Sequence, residues 1–189
     1  MNPIDYGLIA KALDYYRAAG FKYVEVPWIV SREAIEVTLP AGRQPHMIDL
    51  HPGRGLVGSA EQSFLQLMFD GQLPEGLYVA ASPCFRDDPV DTWHQPSFFK
   101  VELIRVGFMR LSAEELLAWA LRFFVNNGAP GAKIKQTSEG HDIELDGVEL
   151  GSYGVRRYRQ HVWTYGTGIA EPRFSTALKS AGASAQKEP

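Results

Sequence analysis

The sequence has a single cysteine, Cys84, and no long run of apolar residues. One cysteine cannot form a disulfide within the chain, so a reducing, cytoplasmic location fits best. No stretch reaches the roughly 18 apolar residues of a membrane-spanning helix, and the N-terminus lacks the charged-then-apolar pattern of a signal peptide. We therefore expect a cytoplasmic protein that does not enter a membrane.

The sequence also lacks a large excess of either positive or negative charge. The 189 residues carry a formal net charge of −3, and no block of lysine or arginine stands out. This balance argues against a broad nucleic-acid-binding surface, although it leaves room for a small basic patch. With 45% hydrophobic residues, the chain can form one globular domain with a sizeable core. We expect the core to cover residues 1–180 and the small, polar segment 181–189 to be a disordered tail.

Hydrophobic periodicity and turn residues predict a mixture of helices and strands. The predicted helices run from Asn2 to Gly20, from Ser59 to Asp70, onwards from a capping box at Ser112–Glu115, and from Arg173 to Leu178. The predicted strands cover 21–26, 77–81, 98–108, 133–137, 142–145 and 148–156, with a long loop at 38–58 and a turn at 166–168. Hairpins join several strands, so the expected class is α+β with a mainly antiparallel sheet flanked by helices; a parallel doubly wound sheet is the weaker alternative.

The most informative segment runs from Cys84 to Glu102. Arg86 follows a strand, and its planar guanidinium suits phosphate or carboxylate oxygens, unless it is a surface residue paired with a neighbouring aspartate. Alternation along the next strand puts Phe98, Lys100 and Glu102 on one face. Phe98 can then stack on a purine, and its alternative role is a core side chain.

Carboxylates cluster around a second predicted hairpin. A two-residue turn at Asp146-Gly147 puts Glu144 opposite Glu149, with Asp142 diagonally placed on the same face. Three such carboxylates repel one another without a cation, and oxygen ligands suit Mg²⁺. The alternative is an acidic, solvated face of an edge hairpin.

Two further arginines follow this hairpin. Counting by twos from Glu149 puts Arg156 on the opposite face of the strand unless a bulge intervenes, and Gly151 and Gly154 are suited to a bulge. Arg173 lies at the predicted start of the last helix, after a Gly-x-Gly segment. A helix N-terminus with an arginine in its first turn suits an anion such as phosphate.

These pieces occur in the order of the class II aminoacyl-tRNA synthetase catalytic domain, which the chain resembles over roughly residues 5–180. The segment from Gly20 to Pro27 resembles the end of motif 1, which in that family is a dimer-interface helix and strand. Phe85-Arg86-Asp87-Asp88 and His94-Gln95-Pro96-Ser97-Phe98 resemble motif 2, with Asp88 in place of glutamate. The segment from Gly166 to Arg173 resembles motif 3. Lys100-Val101-Glu102-Leu103 is similar to the seryl enzymes, whereas the segment from Asp142 to Arg156 is similar to the aspartyl/asparaginyl group and to ammonia-dependent asparagine synthetase.

The resemblance implies a role for each candidate residue. Arg86 and Arg173 would be the catalytic residues, neutralising phosphate charge. The implied ATP-binding residues are Arg86, Asp88, His94, Phe98, Glu149, Ser152 and Arg173, with Phe98 and Arg173 on the two faces of the adenine and Asp88 facing its amino group. The implied amino-acid-binding residues are Ser59, Glu61, Glu102 and Arg156. Asp142 and Glu149 would hold Mg²⁺.

The resemblance also implies an activity. We expect an ATP-dependent ligase, a stand-alone synthetase-like core that converts an amino acid to its adenylate. The similarity of Arg156 to the arginine of the aspartyl group implies an acidic substrate. The acceptor would be a tRNA, a carrier protein or a small molecule; the short loop between Arg86 and Phe98 argues against tRNA charging. The alternatives are a non-catalytic binding or regulatory paralogue and an asparagine-synthetase-like ligase that uses ammonia. A homodimer through the Ile4–Pro27 region is expected.

Overall fold

The computed structural model describes residues 3–45, 52–107 and 113–185. The helices are α1 (Tyr6–Ala18), α2 (Arg32–Glu36), α3 (Ala60–Phe69), α4 (Glu114–Asn126) and α5 (Arg173–Ala185). The strands are β1 (Lys22–Tyr23), β2 (Ile29–Ser31), β3 (Arg54–Leu56), β4 (Gly76–Phe85), β5 (Ser97–Val106), β6 (Lys133–Gln136), β7 (His141–Leu145), β8 (Val148–Tyr158) and β9 (His161–Glu171). None of these helices is long and apolar enough to cross a membrane.

One large sheet organises the described chain. Its seven strands lie in the order β1-β4-β5-β9-β8-β7-β6, and β2 and β3 form a separate antiparallel pair. Within the large sheet only β1 and β4 are parallel, and the other neighbours are antiparallel. The predicted α+β class with a mainly antiparallel sheet is therefore confirmed.

Helices cover the two faces of this sheet unequally. Side chains of α1, α4 and α5 pack with alternate sheet residues such as Val101, Leu103 and Tyr153 in one apolar cluster. On the opposite face, α2 and α3 pack with residues such as Ile104 and Trp163. The second face is covered only in part, because polar side chains of β5, β8 and β9 line a cavity there.

Several predicted boundaries need correction at the helix ends. Helix α1 begins at Tyr6, and its N-cap is Asp5, whose side chain accepts a hydrogen bond from the Leu8 amide; the predicted start at Asn2 is wrong. Helix α5 continues to Ala185, so residues 181–185 are helical where a disordered tail was expected. Ser112 of the predicted capping box lies outside the described residues, and Ala113 at the N-cap of α4 has no capping side chain.

The predicted turn at Gly166–Gly168 is also wrong, because β9 runs through it as a continuous strand. A Cβ on Gly166 would lie 2.6 Å from Tyr153 Cδ1, and one on Gly168 would lie 2.8 Å from Tyr16 Cε2. These glycines therefore allow aromatic side chains to approach the backbone closely, which is the other common reason for glycine within a strand.

The β7–β8 hairpin forms as predicted and carries one irregularity. Asp146 and Gly147 both have positive φ, of 50° and 81°, as the two central residues of a type I′ turn require. Glu144 pairs with Glu149, but Ile143 pairs with Gly151, so Leu150 is an extra residue in β8. This bulge reverses the alternation beyond it and puts Arg156 on the same sheet face as Glu149.

Candidate functional site

A cavity of about 600 Å³ opens on the sheet face that α2 and α3 cover. Its wall is formed by the start of α3, the segment that follows α2, the end of β4 with the residues after it, and strands β5, β8 and β9. A second cavity of about 20 Å³ lies beside it, and Asp88, Trp93, His94 and Arg173 line both.

Most of the candidate residues meet at these two cavities. Nine of them line the larger one: Ser59, Glu61, Arg86, Asp88, His94, Glu149, Ser152, Arg156 and Arg173. Phe98 lines only the smaller cavity. Glu102 is fully buried directly behind Ser59. Asp142 pairs in register with Ser152 on the neighbouring strand. The residues therefore converge as the resemblance implied, although their roles stay predictions.

The two arginines expected to bind phosphate are held by the protein itself. Arg86 donates from Nε to the Gly58 carbonyl oxygen at 2.8 Å, and its guanidinium carbon lies 5.0 Å from the centroid of the Phe98 ring. Arg173 forms an ion pair with Glu149, with 3.4 Å between Nη1 and Oε1. Both guanidinium groups are thus positioned before any ligand arrives, which reduces the ordering that binding requires.

The smaller cavity is bounded by a short, tightly bonded turn. Asp91 Oδ1 accepts from the amides of Trp93 and His94, each at 2.7 Å, and the His94 ring lies 2.9 Å from Asp91 Oδ2. Hydrogen bonds from His94 and Trp93 hold the pKa of Asp91 below its usual range. The turn fixes Trp93 and His94 beside Phe98 and Arg173, the two residues expected to enclose an adenine ring.

The start of α3 contributes a partly buried ion pair to the wall of the larger cavity. Glu61 accepts from Trp163 Nε1 at 2.6 Å through one oxygen and pairs with Arg156 through the other. The Arg156 guanidinium also stacks over the Tyr165 ring, 4.0 Å from its centroid. Both Glu61 oxygens therefore have protein partners. A substrate ammonium group would have to share or replace one of them.

Glu102 is a second paired acid, next to Ser59. Its Oε2 is 2.8 Å from both Lys100 Nζ and Ser59 Oγ, whereas its Oε1 is buried without a hydrogen-bond partner among the described residues. Burial raises the pKa of Glu102, and the neighbouring Lys100 opposes that rise. A buried carboxylate oxygen without a donor is costly. Glu102 lines neither cavity, so a ligand N–H would reach Oε1 only if side chains such as Ser59 moved.

The acidic side chains of the β7–β8 hairpin differ in whether a basic side chain already neutralises them. Glu144 is neutralised by Lys135, with 2.8 Å between Oε1 and Nζ. Burial raises the pKa of Asp142, a hydrogen bond from Ser152 opposes this, and the charges of Glu149 and Glu144 add to the rise. The described residues contain no group of three or more acid, His or Cys side chains suited to a metal. Two carboxylates, those of Asp142 and Glu149, can be enough for an ion such as Mg²⁺, because proteins hold Mg²⁺ through one or two carboxylates plus substrate phosphates.

The lining residues of the larger cavity to which sequence reasoning gave no role include Arg43, Lys100 and Tyr165. The alternation that put Lys100 on the face of Glu102 was a sufficient signal for that lysine. Tyr165 could not be found in this way, because its place depends on the pairing of β9 with β8. Arg43 lies in a loop, where no periodicity acts.

Comparisons with known proteins bear on the fold. No family model matches the sequence, and no curated protein matches it. Two solved structures of pyrrolysyl-tRNA synthetase from Desulfitobacterium hafniense are similar to it, both with a TM-score of 0.72 and with sequence identities of 15% and 16%. Each similarity covers 93% of this chain and 69% of the other. The chain therefore has the class II aminoacyl-tRNA synthetase fold, as its ordered motifs predicted.

Proposed function

We propose that this protein binds ATP with Mg²⁺ and activates an amino acid as its aminoacyl-adenylate. The observation that carries this proposal is one cavity of about 600 Å³ that is lined by Arg86, Arg173 and Glu61, with the buried Glu102 directly behind Ser59 on its wall. The arginines suit an ATP triphosphate, and the acids suit the ammonium group of an amino acid. The class II synthetase fold supports a ligase at this coarse level.

The proposed reaction is a displacement at phosphorus. A carboxylate oxygen of the amino acid attacks the α-phosphorus of ATP, the bond to the bridging oxygen breaks, and pyrophosphate leaves with that electron pair. The nucleophile is already ionised, so no general base is required. Arg86 and Arg173 would neutralise the charge that develops on the phosphate oxygens, and the preformed cavity would orient the reactants.

The metal role is proposed for Asp142 and Glu149. When held by these two carboxylates, Mg²⁺ would neutralise part of the phosphate charge. Glu149 is also the partner of Arg173, so its carboxylate would have to divide its charge between the arginine and the ion. Ser152, which donates to Asp142, would orient the second carboxylate.

For the amino acid itself, Arg156 supports a substrate with a side-chain carboxylate. Its guanidinium reaches the cavity between Glu61 and Tyr165. Ser59 on the cavity wall and Glu102 directly behind it are then the proposed partners of the α-ammonium group. The acceptor of the activated amino acid is proposed to be a tRNA, a carrier protein or a small molecule.

ATP–pyrophosphate exchange, measured separately with each of the twenty amino acids, tests this proposal. We expect exchange with one amino acid or a small group of them, and a loss of about 100-fold or more in Arg86→Ala because a charge-neutralising contact is removed. Arg122→Ala, on the far side of the sheet in α4, is the control. A lack of exchange with every amino acid would contradict the activation step.

A second candidate is a protein that binds nucleotide or a partner without catalysis. The observation that favours it is the 20 Å³ volume of the cavity between Phe98 and Arg173, which cannot hold a purine unless side chains move. Calorimetry with ATP and Mg²⁺ separates the candidates. Mg²⁺-dependent ATP binding without exchange supports a binding role alone, and an absence of ATP binding contradicts both nucleotide proposals.

We also propose that the protein is a two-fold dimer and that it resides in the cytoplasm. Four large apolar side chains between residues 6 and 29 are exposed: Tyr6 (63%), Tyr23 (42%), Trp28 (51%) and Ile29 (39%). They belong to α1, β1, β2 and the connection before β2, and β1 is an edge strand of the large sheet. A second copy that packs at this edge of the sheet would bury exposed apolar side chains of this region. The only cysteine, Cys84, is buried and free, which fits a reducing compartment.

A further inference from the structure

A tight turn fixes Arg43 at the rim of the larger cavity. The Arg43 amide donates to the Pro40 carbonyl oxygen at 3.1 Å, and Gly42, the third residue of this turn, has a φ of +79°. A positive φ at the third position is the mark of a type II turn, which favours glycine there. The segment before it is anchored because Gln62, buried in α3, donates to Thr38 Oγ1 at 3.1 Å.

From this turn, Arg43 reaches across to the residues that follow β4. Its Nη1 lies 3.0 Å from Asp88 Oδ1 and 3.4 Å from the Asp87 carbonyl oxygen. The Asp88 side chain is only 14% exposed, whereas that of Arg43 is 50% exposed. One guanidinium nitrogen therefore holds both the backbone and the acidic side chain of the segment that follows Arg86.

Asp88 is placed where it can contact a bound base. It lines both cavities and borders the smaller one together with Phe98 and Arg173. Arg43 contacts Oδ1, and no described residue donates a hydrogen bond to Oδ2. An ionised carboxylate only accepts hydrogen bonds. Such an oxygen attracts the amino group at position 6 of adenine and repels the carbonyl oxygen that guanine carries there.

We propose that Arg43 is a base-positioning residue that holds Asp88 in place and so sets a preference for ATP over GTP. The inference rests on the proposed nucleotide site and goes beyond it, because it assigns a specificity role to a loop residue. Arg43 acts through Asp88 and touches no reacting atom. The Arg43 guanidinium is half exposed, so its removal should cost little folding stability, and thermal unfolding separates the effect on specificity from an effect on stability.

Calorimetric titration of the full chain with ATP and with GTP, each with Mg²⁺, provides the test. The variants are Arg43→Ala, Asp88→Asn and the double variant. Arg32→Ala is the control, because the Arg32 side chain is as exposed as that of Arg43, forms an ion pair with Glu36 at 3.2 Å, and lines neither cavity. Thermal unfolding of each variant confirms that it folds.

The expected result is a change in base preference. Wild type and Arg32→Ala should prefer ATP over GTP by about tenfold or more, since the wrong base leaves a polar group unpaired. Arg43→Ala should weaken ATP binding roughly tenfold and bring the two affinities together. Asp88→Asn should do the same, and the double variant should show no further loss, because the two residues act as one unit.

Three outcomes would overturn the inference. If wild type prefers ATP and Arg43→Ala keeps that preference at full strength, Arg43 does not position Asp88, and the proposed ATP site is unaffected. If Arg43→Ala weakens ATP and GTP equally, Arg43 contacts phosphate and does not act on the base. If wild type binds neither nucleotide, the proposed function fails and the inference fails with it.

Discussion

At the scale of single residues, Gly168 shows how tightly the sheet packs beneath the cavity. The Tyr16 hydroxyl donates to the Gly168 carbonyl oxygen at 2.9 Å, and Tyr16 is fully buried. A Cβ at this position would lie 2.8 Å from Tyr16 Cε2 and 2.9 Å from Val101 Cγ1. The site face depends on this strand, so a shift here would also move Thr167 on the cavity wall.

We therefore predict that Gly168→Ala lowers the free energy of unfolding by about 1–3 kcal/mol, the usual cost of overpacking a dense core. Gly182→Ala is the control, because Gly182 is exposed in α5 and no atom of the described residues lies within 4 Å of an added Cβ. Alanine favours a helix over glycine by about 0.5–1 kcal/mol, so that variant should be slightly more stable. Urea denaturation measures both; equal effects would contradict the packing argument.

Asp142 gives a prediction on pH. Its pKa is raised, chiefly by burial, so the folded protein binds a proton at Asp142 more tightly than the unfolded chain does. The stability that this group contributes is present below the ordinary aspartate pKa of about 3.9 and is lost as the pH rises through the raised value. At neutral pH the ionised carboxylate is therefore a cost to folding.

Asp142→Asn should accordingly be more stable than wild type at pH 7, and the difference should disappear as the pH falls towards 4. Thermal or urea unfolding across this range measures it, with Asp14→Asn on the exposed side of α1 as the control for a lost charge. If Asp142 and Glu149 hold Mg²⁺, added Mg²⁺ should stabilise wild type more than the variant. A difference that persists at low pH would show that the effect is not the ionisation of Asp142.

At the scale of elements, α3 links the cavity to its surroundings. Almost all of its residues are buried, including the polar Glu61, Gln62 and Gln66. Gln62 accepts from the Gly58 amide at 2.8 Å and donates to the Ile35 carbonyl oxygen and Thr38 Oγ1, at 3.3 and 3.1 Å. Gly58 in turn accepts from Arg86, so one side chain connects α2, α3 and the proposed phosphate site.

Gln62→Leu keeps a similar side-chain size but leaves the Gly58 amide without its partner, so it should cost about 1–3 kcal/mol of stability. It should also weaken ATP binding, because the Gly58 carbonyl oxygen would no longer be fixed for Arg86. The matched control is Gln72→Leu at an exposed position, expected within about 0.5 kcal/mol of wild type. Chemical denaturation and calorimetry test the two effects; unchanged values for Gln62→Leu would contradict the linking role of α3.

At the scale of the whole molecule, the exposed apolar surface at residues 6–29 predicts self-association. Trp28→Asp should shift a dimer towards monomer in analytical ultracentrifugation, because it places a charge in the buried interface. The control is Ile134→Asp, since Ile134 is 46% exposed on β6 at the opposite end of the sheet. If the wild type sediments as a monomer at all concentrations, or if Ile134→Asp alone disrupts the dimer, the proposed interface is wrong.

Much of the fold and part of the site could be predicted from local patterns. Side-chain alternation put Phe98 and Glu102 on one face of a strand, and β5 has that arrangement. The Asp146-Gly147 pair predicted a two-residue hairpin, because few residues other than Asn, Asp and Gly accept its positive φ values. The ordered motifs predicted the class II synthetase fold, and the structural comparisons bear this out. Each of these signals can be recognised in short segments of the sequence.

The tertiary structure decided what local patterns could not specify. The Leu150 bulge alone brings Arg156 to the cavity face, and the sequence could indicate only that glycines near it allow one. Gly166 and Gly168 are signals for a turn when considered alone, but Tyr153 and Tyr16 make them strand residues that permit close packing. The pairing of Glu61 with Arg156 and of Asp88 with Arg43 joins residues far apart in the chain. The sequence by itself determined the elements and their faces, because those depend on neighbours along the chain; the partners of each charge depend on how the elements pack.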